Sequence, residues 1–359
     1  MKKIIILVLF FMLPVSVSYA TEMKKTLLVE TGTGQPVEFE NSARSAILIE
    51  KETGGILLEK NAYERLGMAS TTKIMTAIVA LENSELTDIV KASHRASMIE
   101  GTSIYLAEGE EMLMEDLLYA LLLNSGNDCA TAIAEHIGKT EENFVKMMND
   151  KALELGLKDT HFTNPHGLAD ANHYTTSYEL AKMASYALHN PKFAEIVATE
   201  KKRISRQREG GISFLKNHNR LLRDYEYCTG VKTGFTKKTG RTLVSSAKKD
   251  NIEVICVTLN DGDDWRDHKE MLEYGLNNYK TKILYCKDEL IEGKEVGEDV
   301  YVCLKDGEKY DIKIDDKINI YVDNALQKSY EFKKPDKKVI KQKSLVQNFS
   351  SFLYRMVSM

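Results

Sequence analysis

Beyond the N-terminal segment, apolar residues cluster in two short runs, 46–50 and 56–60, with Thr53-Gly54-Gly55 between them. Runs of that length around a glycine turn predict a hairpin. After Ser70 the period changes. Ile74, Ile78 and Leu81 recur at helical spacing with Met75 and Val79 beside them, so a buried helix is expected. Leu117, Leu118, Leu121 and Leu122 mark another helix; Gly126 interrupts it, and Ala130, Ile133, Ala134 and Ile137 resume the stripe up to Gly138. The cluster Asn164-Pro165-His166-Gly167 reads as a turn. Thr176 with Glu179 fits a capping box opening a helix through Ala187. The pattern then returns to strands at 231–235, 242–247 and 253–259, closed by a helix through Met271 and Leu272. Strands, helices and strands in that order predict one α+β body over residues 21–282.

From about residue 283 the chain shortens into alternating strands, at 300–304, 312–314 and 318–322. They predict a small all-β domain over 283–334. Residues 335–359 are different again. On a helical projection Leu345, Val346, Phe349, Phe352, Leu353, Met356, Val357 and Met359 fill one arc, and Gln347, Asn348, Ser350, Ser351, Arg355 and Ser358 fill the other, with Tyr354 as its only aromatic. That pattern predicts an amphipathic helix, too polar to span a bilayer but suited to lie on its surface, with six lysines just upstream adding attraction to anionic lipid.

Composition sharpens the address. With 43% hydrophobic and 28% charged residues the chain carries a real core, and a net charge of −4 argues against a nucleic-acid partner. Lys2 and Lys3, an apolar run over 4–17 and Ser18-Tyr19-Ala20 read as a secretory signal peptide, residues 1–20. An exported protein at the outer face of the cytoplasmic membrane, in the cell-wall space, is expected. Removing Lys2 and Lys3 takes the charge from −4 to −6, while 333–359 hold seven Lys/Arg and one Asp: an acidic body with a basic tail. Cys129, Cys228, Cys256, Cys286 and Cys303 are too few and too scattered for a disulfide framework or a CxxC metal site and read as small buried hydrophobes.

Three short motifs carry candidate chemistry: Ser70-Thr71-Thr72-Lys73, Ser125-Gly126-Asn127 and Lys232-Thr233-Gly234. Each alone is weak. The pattern SxxK also starts at Ser213, Ser245 and Ser246, and a second KTG stands at Lys238-Thr239-Gly240. Only Ser70 opens a strongly apolar helix, where free backbone N–H groups can bind an oxyanion. Lys73 shares its helix face, and apolar neighbours desolvate it, lowering the amine pKa so that it can take a serine's proton. The plain alternatives are a helix-capping Ser70 and a solvated Lys73. Ser125 and Asn127 fall at a helix break that presents side chains into a cleft; a capping Ser and a turn Asn are the alternative. Lys232 and Thr233 lie on a strand whose edge a peptide could join, and Gly234 leaves room for a ligand's backbone. The alternative is an edge-strand lysine that blunts aggregation.

Taken in order, SxxK, SxN and KTG resemble the signature set of penicillin-binding proteins and serine β-lactamases. Met68-Ala69-Ser70-Thr71-Thr72-Lys73-Ile74-Met75-Thr76 and Ser125-Gly126-Asn127-Asp128 look most like the low-molecular-mass D-Ala-D-Ala carboxypeptidases, as do 164–168, 173–176, 219–222 and 230–236. The resemblance covers about residues 40–275. It selects Lys232 over Lys238, because Gly230-Val231 precedes it.

The resemblance implies a β-lactamase/transpeptidase-like fold and an acyl-enzyme route on the peptidoglycan stem peptide, with β-lactams as covalent inhibitors. Ser70 is then nucleophile, Lys73 base and Ser125 proton relay. Asn127 orients the peptide, Lys232, Thr233 and Gly234 bind the substrate, and the backbone N–H groups of Ser70 and Phe235 form the oxyanion hole. No metal or cofactor is implied; the eight histidines show no HExxH pair. A β-lactamase would add a deacylating Glu in an ExxLN stretch between SxN and KTG. This chain has Glu273-Tyr274-Gly275-Leu276-Asn277, but after Lys232. A penicillin sensor on the same scaffold would acylate without peptide turnover.

Overall fold

The computed structural model describes residues 27–29, 36–38, 41–206 and 211–333. The expected signal peptide, 1–20, and the expected amphipathic helix in 335–359 lie outside the described residues. The body is a seven-stranded antiparallel sheet in the order Pro36–Glu38, Leu27–Val29, Ile56–Lys60, Ser45–Glu50, Ile252–Asp261, Gly240–Lys249, Cys228–Thr236. Both faces are covered. Along Ser45–Glu50 every position is buried: Ile47 and Ile49 face a helical layer, while Ala46 and Leu48 face a second core beneath the helix Asp264–Asn278. Burial on both faces explains the continuous apolar run, since a strand covered on one side alone would alternate.

The helical layer is built around Lys73–Asn83, buried from Lys73 through Ala80. Met114–Leu123, Asn127–Gly138 and Ser177–Leu188 pack with it into one core. The apolar helix expected from Ser70 begins three residues later than its period implies. Ser70 lies in a 3-10 turn, Ala69–Thr72, because Ala69 is left-handed at φ 47° and the Met68 carbonyl is taken by the Thr71 and Thr242 hydroxyls at 2.6 and 3.1 Å. The capping box forms by half: Thr176 Oγ1 accepts the Glu179 N–H, but the Glu179 carboxylate turns to Asp159 N and Thr160 Oγ1.

Beyond the last helix of the body, Tyr279–Tyr285 pairs with Val300–Lys305, and Tyr310–Ile314, Lys317–Val322 and Ala325–Glu331 form a three-stranded sheet. Val296, Val300, Val302, Ile318, Ile320 and Tyr330 make a separate core there. The strand Tyr279–Tyr285 runs across the 282/283 boundary drawn from sequence. Thr281 Oγ1 donates to Glu50 of the main sheet, and Lys328 Nζ to the Glu52 carbonyl. The cysteines are unpaired thiols: Cys129, Cys256 and Cys303 are buried as expected, Cys228 is half-buried, and Cys286 is exposed, against the reading of it as a core residue.

Candidate active site

The Ser70 turn and the Ser125 helix break meet beside the edge strand Cys228–Thr236, and each is held by unusual backbone. The Ser70 turn is clamped from behind by a loop: Gly167, at φ +88°, packs so close that an added Cβ would stand 2.0 Å from the Ala69 carbonyl oxygen. Asn164 Oδ1 accepts the Gly167 N–H at 2.7 Å, and Thr76 Oγ1 donates to the Pro165 carbonyl. His173 secures the other side. Its Nδ1 accepts Thr163 N–H, so Nε2 carries the proton and donates to Thr72 Oγ1 at 2.7 Å. Burial pushes its pKa down to about 4, so the ring is neutral.

Lys73 is fully buried, its Nζ 3.1 Å from Ser70 Oγ, 2.7 Å from Asn127 Oδ1 and 2.6 Å from the His166 carbonyl. Desolvation, and then the charge of Lys232, hold its pKa well below the usual lysine value. The solvated reading of Lys73 is thereby excluded.

Ser125 is left-handed at φ 61° in the break between Met114–Leu123 and Asn127–Gly138. Its hydroxyl is buried with no hydrogen-bond partner among the described residues, and it lines the cleft. Asn127 Oδ1 accepts from Lys73, and its Nδ2 donates to the Glu100 carbonyl at 2.7 Å. Asp128, given no role from sequence, ties down the facing loop by accepting Ser103 Oγ and the Ile104 and Leu106 N–H groups.

On the edge strand, Thr233 and Gly234 line the cleft while Lys232 is only 1% exposed, its Nζ donating to the Thr233 carbonyl at 2.8 Å. Burial drives its pKa down to about 7. The aggregation-blunting reading, which needs an exposed side chain, fails. The second KTG stands at the exposed turn into Gly240–Lys249. Gly234 is required by the protein itself. A Cβ there would come 2.4 Å from Thr242 Oγ1 and 3.0 Å from Ser70 N, so its lack of a side chain lets the strand close on the Ser70 turn. Ser213, Ser245 and Ser246 lie within strands.

The cleft has a volume of about 550 Å³. Its far wall was not anticipated: Arg241, directly across from Phe235 in the ladder, pairs with Asp264 at 3.0 Å, and Trp265 and His218 complete the lining. A hydroxyl beside an amine whose proton affinity is lowered, backbone N–H groups at the turn and a free strand edge can together activate a nucleophile, hold an oxyanion and align a peptide.

Fold and site define a serine enzyme that pairs its hydroxyl with a lysine rather than a histidine. The family described as D-alanyl-D-alanine carboxypeptidase, Peptidase_S11, matches residues 30–263, and the chain belongs to it. The D-alanyl-D-alanine carboxypeptidase DacF of Bacillus subtilis (strain 168) is 35% identical over 315 residues, 82% of this chain and 81% of that protein. The crystal structure of the Streptomyces K15 DD-transpeptidase matches with a TM-score of 0.64 at 30% identity, covering 67% of this chain and 99% of that one. Penicillin binding protein 5 from Haemophilus influenzae reaches a TM-score of 0.72 at 24% identity over 83% of this chain and 97% of its own, a likeness of fold.

Proposed function

We propose that the chain removes the terminal D-Ala from peptidoglycan stem pentapeptides through an ester on Ser70. Lys73, its proton affinity lowered by burial and by the charge of Lys232, takes the Ser70 proton as Oγ attacks the carbonyl between the last two D-alanines. The oxyanion that forms is held by the N–H groups of Ser70 and Phe235. The C–N bond then breaks, and Ser125, whose hydroxyl has no other partner among the described residues, passes a proton to the leaving amine. Water hydrolyses the ester. Thr233 meets the terminal carboxylate. Lys232, buried beneath it, supplies a positive field and completes its own protonation when that carboxylate arrives. Asn127 acts chiefly by fixing Lys73.

The observation that carries this reading is the buried Lys73 Nζ, 3.1 Å from Ser70 Oγ. The test is D-Ala release from a soluble pentapeptide, with mass spectrometry after penicillin treatment. Release, together with a long-lived adduct on the peptide containing Ser70, is expected; an adduct without release would make the chain a sensor. Rapid nitrocefin turnover would favour a β-lactamase. Against that reading, Glu273 sits on the helix Asp264–Asn278 facing Lys269, away from the cleft.

The same reading has residues 1–20 direct export. It rests 335–359 on the outer face of the membrane, with the strands from 283 to 334 as a small β domain that lifts the cleft toward the wall.

A further inference from the structure

The strands Lys201–Ser205 and Ile212–Lys216 form a hairpin beside the cleft that no part of the mechanism uses. Its two faces differ sharply. Ile204 and Leu215 point inward into the main core, each 2% exposed, and the Lys202 ammonium sits 4.1 Å from the Tyr119 ring centre. The outward face carries Lys201, Arg203, Ser205, Ile212, Phe214 and Lys216. Phe214 is 79% exposed. Arg203 lies directly across from it, and Lys201 directly across from Lys216. Facing like charges on one sheet surface are destabilising unless a counter-charge intervenes. None of the six is a carboxylate, and Lys201, Arg203 and Lys216 have no ion-pair partner among the described residues. A cationic, aromatic patch thus stands out on a chain of net charge −4.

The patch is continuous with the cleft. Lys216 N–H donates to Asn124 Oδ1, next to Ser125, and two residues further on His218 lines the cleft itself.

We propose that this face docks a carbohydrate polymer bearing carboxylates: the polymer whose stem peptide enters the cleft, so the inference rests on the proposed function. Sugar rings lie against the flat face of Phe214. Carboxylates on neighbouring stems pair with Arg203, which can grip them through two N–H groups, and with Lys201 and Lys216. Holding the polymer at a second point raises the effective concentration of the stem at Ser70. The mixed face favours this occupant over a lipid surface, because its only exposed apolar side chains are Ile212 and Phe214.

The experiment uses the full chain and the double variant Arg203→Glu/Phe214→Ser, which touches neither the core nor the cleft lining. D-Ala release is measured from a soluble pentapeptide and from insoluble peptidoglycan. In the variant, soluble turnover stays within about twofold of the parent while release from the polymer falls at least about fivefold. A parent inactive on soluble pentapeptide sinks the proposed function instead. The docking face is judged separately, on binding: Ser70→Ala protein, with and without the double substitution, is sedimented with peptidoglycan and with phosphatidylglycerol vesicles. Loss of peptidoglycan pelleting alone supports the proposal. Unchanged peptidoglycan pelleting overturns it, as does loss confined to vesicles or a change of oligomeric state on gel filtration. Should the double variant fail to fold, acetylation of the parent decides. Peptidoglycan shields Lys201 and Lys216 but not Lys269 if the face docks polymer; equal labelling of all three overturns it.

Discussion

Replacing Lys232 by Met should make the protein more stable and nearly inactive. The side chain is 1% exposed, and burial has lowered its pKa from 10.5 to about 7. A folded-state pKa below the unfolded one means that the unfolded chain binds more protons, so stability rises with pH between about 7 and 10.5. With each tenfold change in proton affinity worth about 1.4 kcal/mol, holding Lys232 in place costs on the order of 4 kcal/mol at pH 7.4. Met has similar bulk and no charge to desolvate. It gives up one hydrogen bond, to the Thr233 carbonyl, worth about 1 kcal/mol. The net gain of about 3 kcal/mol corresponds to a rise in Tm of about 4 °C for a chain of 359 residues. Differential scanning fluorimetry at pH 7.4 and pH 10.5 reads it, and the gain should shrink at the higher pH, where the parent's lysine is neutral when folded and only about half charged when unfolded. D-Ala release should drop at least about a hundredfold as the field beneath the terminal carboxylate disappears. Removing the Lys232 charge also raises the Lys73 pKa, since that charge helps to lower it, so the acidic limb of residual penicillin acylation moves to higher pH. A Tm that falls at pH 7.4, or a gain that does not narrow with pH, would refute the reasoning.

Ser70→Ala should lose all labelling by a fluorescent penicillin with its circular dichroism unchanged, whereas Ser213→Ala keeps it; the opposite pattern overturns the assignment. Lys73→Arg should be almost inactive in D-Ala release because a guanidinium stays charged, and near-normal release would contradict its role as base. Gly234→Ala should slow penicillin acylation by about tenfold or more, since its Cβ falls 2.4 Å from Thr242 Oγ1 and 3.0 Å from Ser70 N; an unchanged acylation rate shows that the strand need not close on the turn. Truncation after Pro335 should move the protein from the membrane to the soluble fraction of fractionated cells with the penicillin site intact. Equal solubility of both forms, or unfolding of the truncated one, refutes the tail as anchor.

Much of the fold was legible because burial writes itself into period. The run at 46–49 is apolar without alternation because both sheet faces are covered, and the helix Lys73–Asn83 is apolar all round because helices pack about it. The hairpin at 201–216 escaped notice. Half of its outward positions are charged, and only Ile204 and Leu215 mark its inner face. At the site, residue types and order named Ser70, Lys73, Ser125 and Lys232, but local sequence does not encode who holds whom. That the Asn127 amide grips Lys73 depends on an approach across 54 residues. The Arg241–Asp264 pair joins a strand to a helix start, 23 residues on, and neither residue belongs to a motif.

The lowered pKa of Lys73 shows most clearly why a motif is not yet a site. An apolar helix accounts for part of its desolvation, but Lys73 is the first residue of that helix, where a side chain would ordinarily reach water. Burial is completed from outside the helix. The His166 carbonyl and Asn127 Oδ1 close around Nζ, and Lys232 approaches near enough to repel its proton. The His166 carbonyl is delivered by the same loop that presses Gly167 against Ala69. Both the left-handed Ala69 and the left-handed Ser125 belong to this arrangement, and strained backbone at such points persists only when the surroundings enforce it. The Lys73 pKa is therefore a property of four segments meeting, and a substitution at Gly167, 94 residues away in sequence, reaches the base as directly as one on its own helix.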